Sequence, residues 1–171
     1  MKALTLYQPW ASLIACGVKT IETRAWSTNY RGPIAIHAAK TVPRAWEQQA
    51  NALFDRFKDA LRRVALPQLL DNGSYDLLLP AGAVVAVADL WACGEYNPTV
   101  GDLELPTRDR DFFATSAAFV KIPEHDRLTG SFGRGRFGWL LRNVRALDLP
   151  IACRGMQGLW TLPDEIEVPR G

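Results

Sequence analysis

Histidine is scarce in this 171-residue chain, which holds two, and cysteine is hardly commoner, with three. His37 lies in an apolar stretch and His125 beside Glu124 and Asp126, so no histidine pair suited to general acid-base work is evident. A metal centre would need several carboxylates at spacings that no stretch supplies, and neither a metal nor a cofactor is expected. Cys16, Cys93 and Cys153 lie far apart with no C-x-x-C spacing, which argues against a zinc knuckle or a disulfide framework and reads as buried thiols in a reducing cytosol. No apolar run reaches the length of a membrane span, and the N-terminus lacks a signal peptide's apolar core. A soluble, cytoplasmic protein is the expectation. Internal repeats and low-complexity segments are also missing, and the length suits one compact domain over residues 1–171.

What is present is charge, unevenly spread. The net charge is +2, yet residues 1–45 carry +5 and residues 127–156 again +5, against −6 for 46–126 and −2 from 157 onward. Two basic segments suggest an anionic ligand such as RNA or a nucleotide. They would equally serve to offset the acidic middle.

Elements follow from periodicity. Residues 1–7 alternate as a first strand. Pro9 and Gly17 then bracket a helix of roughly two turns, since proline needs no amide donor at a helix start and glycine tolerates the left-handed residue at its end. Thr20, Glu22 and Arg24 are spaced by two and project from one face of a strand, with Ile21 and Thr23 on the other and Lys19 at the turn. Residues 26–33 read as a loop and 34–40 as a buried strand containing His37. A lone histidine there is more often a hydrogen-bonded core residue than a catalyst, so His37 is a second-rank candidate. From Pro43 the apolar residues Trp46, Ala50, Leu53, Phe54, Phe57, Leu61 and Val64 recur at helical spacing. Leu66 to Leu70 would add a turn, ended by Asp71-Asn72-Gly73-Ser74.

Residues 83–93 are strongly β-prone, and Asp89 interrupts them. Residues 96–115 read as a solvated excursion with a short helix through Phe112 and Phe113, its run Arg108-Asp109-Arg110-Asp111 facing water. Residues 127–139 combine four glycines, three arginines and three aromatics, a composition suited to phosphate and bases or to a plain hairpin turn. Strands at 139–147 and around Trp160 follow, with a frayed end from Asp164. The sum is a sheet-dominated α+β domain.

Gly17-Val18-Lys19-Thr20-Ile21-Glu22-Thr23-Arg24 resembles the G-x-K-x-x-E-x-R signature of ASCH-domain proteins, and Gln8-Pro9-Trp10 is similar to the Q-P-W/Y opening of one branch. Arg31-Gly32-Pro33 through His37 and Phe137-Gly138-Trp139 through Trp160 resemble later strands of that branch, leaving about 41–79 and 96–126 as insertions, the first helical. The resemblance implies a small PUA-like β-barrel with flanking helices, an RNA-binding fold, and a cleft beside the signature. In a binding module Arg24, Arg31, Arg136 and Arg154 would contact phosphate or ribose, Trp10 and Trp139 the base, with Gln8 beside them and Glu22 accepting from an amino edge.

The alternative is a hydrolase. Some short bacterial ASCH proteins are N(4)-acetylcytidine amidohydrolases, which resemblance assigns a lysine base, a threonine nucleophile three residues later and a glutamate further on; others are similar in activity to ribonucleases. Lys19 matches the base, Glu22 stands at the threonine position, and Glu95 or Asp89 would fill the last role. Lys19 and Glu22 are then the catalytic candidates, gathered with Arg24 in a recess floored by the arginine-glycine turn near residue 134.

Overall fold

The computed structural model describes residues 1–69, 75–112 and 118–168. The elements run β1 (Lys2–Leu6), α1 (Trp10–Ala15), β2 (Ile21–Arg24), β3 (Gly32–Ala38), α2 (Arg44–Arg56), α3 (Lys58–Leu61), β4 (Leu66–Leu69) and β5 (Tyr75–Leu78). Then come β6 (Ala83–Asn97), β7 (Asp102–Glu104), α4 (Thr107–Phe112), β8 (Phe119–Val120), α5 (Glu124–Thr129), β9 (Phe137–Ala152) and β10 (Leu159–Thr161). The class is mixed α+β, as the periodicity predicts. Contacts gather in two compact units, one of residues 1–18, 34–88 and 144–171, the other of residues 19–33 and 89–143.

In the first unit β1 pairs parallel with β3 and antiparallel with β10, and the ladder continues to β6 in the order β10-β1-β3-β6. Ala3, Ala35, Val84, Trp160 and Leu162 form one apolar cluster on this ladder. A second cluster, Leu13, Leu53 and Leu61, joins α1 to α2 and α3. Gly17 lies just past α1 at φ 81°, the left-handed conformation that glycine adopts without strain.

Three expectations change here. Leu66 to Leu69 forms a strand that pairs antiparallel with β5, because the extended ladder supplies the backbone partners that a marginal extra helical turn would lack. The predicted turn at residues 71–74 lies outside the described residues. Trp46, assigned to the apolar stripe of α2, is 45% exposed and meets the Trp10 ring edge-on at 6.2 Å. The predicted frayed end is packed as far as it is described: Ile166 and Val168 lie against the Trp160 and Leu162 cluster.

In the second unit β2 pairs antiparallel with β9, and β7 joins β6 to β8. Ile21, Ala92, Leu103, Leu105, Ile122 and Leu140 close its core. A β-carbon on Gly138 would come within 2.3 Å of Leu103, so this glycine lets β9 pass directly over the Leu103 side chain. The excursion predicted over 96–115 contains β7, a strand of the ladder, and α4; Phe113 lies outside the described residues. Neither ladder closes on itself among the described residues, where the resemblance implied a barrel.

Candidate functional site

Antiparallel register sorts the side chains of β2. Residues directly opposite one another across such a pair share a face. Ile21 opposes Leu140 and Thr23 opposes Gly138, on the face toward the unit's apolar core. Glu22 opposes Trp139 and Arg24 opposes Phe137 on the other face. Alternation thus places Glu22 and Arg24 together, as read from the sequence.

Lys19 joins them, and it is buried completely. Its ammonium donates to Ile21 O at 2.6 Å and to Thr129 O at 3.3 Å, and lies 3.5 Å from Glu22 Oε2. Three oxygens thus surround a group that has three N–H donors. The other oxygen of Glu22 is 3.2 Å from Arg24 Nε. The result is a relay of alternating charge in which Lys19 fixes Glu22 and Glu22 fixes Arg24, whose side chain keeps 25% of its surface exposed.

Asp126 sets the start of this strand. Fully buried at α5, it accepts from the Thr20 and Ile21 amides at 2.9 and 2.8 Å and from the Thr20 hydroxyl at 2.6 Å. Thr20 is therefore committed to Asp126. The turn after α5 binds β2 at Thr23: Ser131 N donates to the Thr23 hydroxyl at 2.9 Å, and Arg136 reaches Thr23 O at 3.3 Å. The side chain that receives this turn lies on the face opposite Glu22 and Arg24, so the arginine-glycine turn supports the strand rather than flooring a recess beneath the charges.

The remaining candidates divide. Trp139 is buried; its indole N–H donates to Trp26 O at 3.2 Å, and the Trp26 ring stands edge-on to it at 4.6 Å. Trp26 itself is 38% exposed, so it presents the aromatic surface that the sequence assigned to Trp139. Arg31 forms a forked pair with Asp109 through Nε at 2.9 Å and through Nη2, and donates to the Thr28 and Tyr30 carbonyls. Asp109 also accepts from the Cys93 amide at 3.1 Å and is buried, which corrects the solvated reading of its charge run. Of the two carboxylates considered as a further catalytic group, Asp89 accepts from Asn143 at 2.8 Å and Glu95 is exposed.

Gln8, Trp10 and Arg154 belong to the first unit. The Gln8 amide donates to the Ser12 hydroxyl at 2.9 Å and to Pro80 O at 2.6 Å, and accepts from Ser12 N, which ties α1 to the chain before β6. Trp10 packs against the Leu13, Leu53 and Leu61 cluster, and Arg154 is exposed. His37, also here, is buried with Nε2 at 3.1 Å from Cys153 O and its ring against Trp160; loss of water around it pushes its pKa below the usual 6.5.

A cleft of about 700 Å³ opens in the second unit. Glu95, Tyr96, Glu104, Arg108, Arg110 and Phe137 line it, along with Ser27. Phe137 is the register partner of Arg24, and Ser27 follows Trp26, so the cleft begins where the signature strand ends. The resemblance implies a cleft beside the signature, but the residues that line it from β7 and α4 are hidden in the sequence, where 96–115 reads as a solvated excursion.

The chain belongs to the ASCH domain family, whose model matches residues 4–103. Among curated proteins it is similar to activating signal cointegrator 1 of Homo sapiens and of Mus musculus, 45% identical over 40 residues in each case. That match covers 23% of this chain and 7% of each relative, so the chain spans a small part of their length. Among solved structures, the crystal structure of ASCH from Zymomonas mobilis aligns with 96% of this chain and 88% of its own, at 17% identity and a TM-score of 0.45.

Proposed function

We propose that the second unit binds RNA or a nucleotide in the cleft that begins at the end of β2. The observation that carries this is the shared face of Arg24 and Phe137, held by the buried relay from Lys19 through Glu22 and continuous with a cleft that contributes Arg108 and Arg110. Guanidinium groups recognise phosphate through paired donors, and exposed aromatic faces stack on bases with little regard to sequence. The half-buried rings of Tyr96 and Phe137 line the cleft, and the exposed Trp26 stands beside the lining residue Ser27. Membership of the ASCH family, which is associated with RNA binding, supports the same reading.

Binding is favoured over hydrolysis by the enclosure of Lys19. A general base must reach a substrate proton, and the Lys19 amine is surrounded by Ile21 O, Thr129 O and Glu22. Titration of labelled single-stranded RNA, followed by anisotropy at rising salt, tests the proposal alongside an assay with N(4)-acetylcytidine. Salt-sensitive retention of intact RNA is the expected result. Deacetylation or RNA cleavage that disappears in both Lys19→Ala and Glu22→Ala would replace binding with catalysis.

A further inference from the structure

Glu95 and Glu104 stand directly opposite each other in the β6–β7 ladder, so both carboxylates leave the same face, and both line the cleft. Like charges in that position destabilise a sheet. Glu104 accepts from the Asn97 side-chain amide at 3.1 Å, whereas Glu95 is exposed and makes no side-chain hydrogen bond among the described residues. The cleft therefore sets two acceptor-only groups beside two arginines and two aromatic rings, Tyr96 and Phe137.

We propose that this cleft selects guanine nucleotides, with the carboxylates of Glu95 and Glu104 accepting from the base edge and Arg108 and Arg110 meeting the phosphate. The inference rests on the nucleotide-binding reading above and adds the base to it. Guanine carries two neighbouring donors on its pairing edge, N1–H and the exocyclic N2 amine, and a carboxylate accepts both side by side. Adenine and cytosine place a ring acceptor next to their single amine, and that lone pair meets carboxylate oxygen with repulsion. Uracil flanks its one N–H with two carbonyls. A cleft of about 700 Å³ falls within the range of small-ligand sites and has room for a base and its sugar phosphate.

Calorimetric titration of the whole chain with GMP, AMP, CMP and UMP tests this, in the wild type, Glu95→Gln, the double variant Glu95→Gln/Glu104→Gln, and Arg108→Ala. GMP should bind about tenfold or more tighter than the other three, the double variant should level the four, and Arg108→Ala should weaken all four by a similar factor. Circular dichroism melts keep the result interpretable, because removing opposed like charges leaves the sheet at least as stable. Equal affinity for the four nucleotides, preference for another base, or a GMP preference that survives in the double variant would each overturn guanine selection. If single-stranded RNA binds without such a preference, only this inference falls. If neither RNA nor any nucleotide binds, the nucleotide-binding reading falls with it.

Discussion

Two sets of charges in the second unit behave in opposite ways. Lys19, Asp126 and Asp109 are buried, Arg31 is half-buried against Asp109, and all four are matched, each bonded to backbone groups and most to an ion of opposite sign. Glu95, Glu104 and Arg108 are exposed around an open cleft, and the two acids face each other without a cation between them in the ladder. Buried charge survives only when its partners restore what water gave up. The first set is therefore explained by the protein's own structure. The second set is held more loosely, Glu104 by the Asn97 amide and Arg108 by the Thr28 carbonyl at 3.3 Å with Asp109 3.9 Å away, and its exposed oxygens and N–H groups are what a ligand can use.

Mutation should separate the two sets. Arg31→Ala leaves the buried Asp109 carboxylate without its forked partner and should cost about 3–5 kcal/mol in denaturant unfolding, the largest effect expected. Asp126→Ala strips acceptors from the Thr20 and Ile21 amides and should cost about 1–3 kcal/mol by the same measurement. If either variant matched the wild type, the enclosed set would not be structural.

His37 extends the comparison to pH. Its folded pKa lies below 6.5 because burial disfavours the charged ring, so the unfolded chain binds the proton more readily. Its effect on stability is absent above the unfolded pKa, and stability falls as pH drops from about 6.5 toward the folded value. Melts across this window should show the loss in the wild type and a flatter profile in His37→Gln. Smallest of all, Glu95→Gln should raise stability by ~0.2–1 kcal/mol, by removing a like-charge pair across the ladder. A loss of stability there would assign Glu95 to the enclosed set.

How far the sequence foretold these features depends on how local their causes are. The helix ended by Gly17, the alternation of β2, and the apolar runs of β3 and β6 follow from neighbours within a few residues, and all are present. So is the grouping of Lys19, Glu22 and Arg24. The unforeseen features depend on distant partners. Asp109 is buried because Arg31, 78 positions away, reaches it; Asp126 because Thr20, 106 positions away, does. An Arg-Asp-Arg-Asp run carries no mark of which acid will be enclosed. Trp139 and Trp26 were likewise indistinguishable as aromatics until pairing with β2 put Trp139 inside.

The binding of labelled single-stranded RNA by wild type and Arg24→Ala, followed by anisotropy across a salt series, bears most directly on the cleft as a nucleic-acid site. A phosphate contact by Arg24 means weaker binding by the variant, with the slope of log affinity against log salt reduced by about one. Unchanged affinity and slope in Arg24→Ala would contradict it.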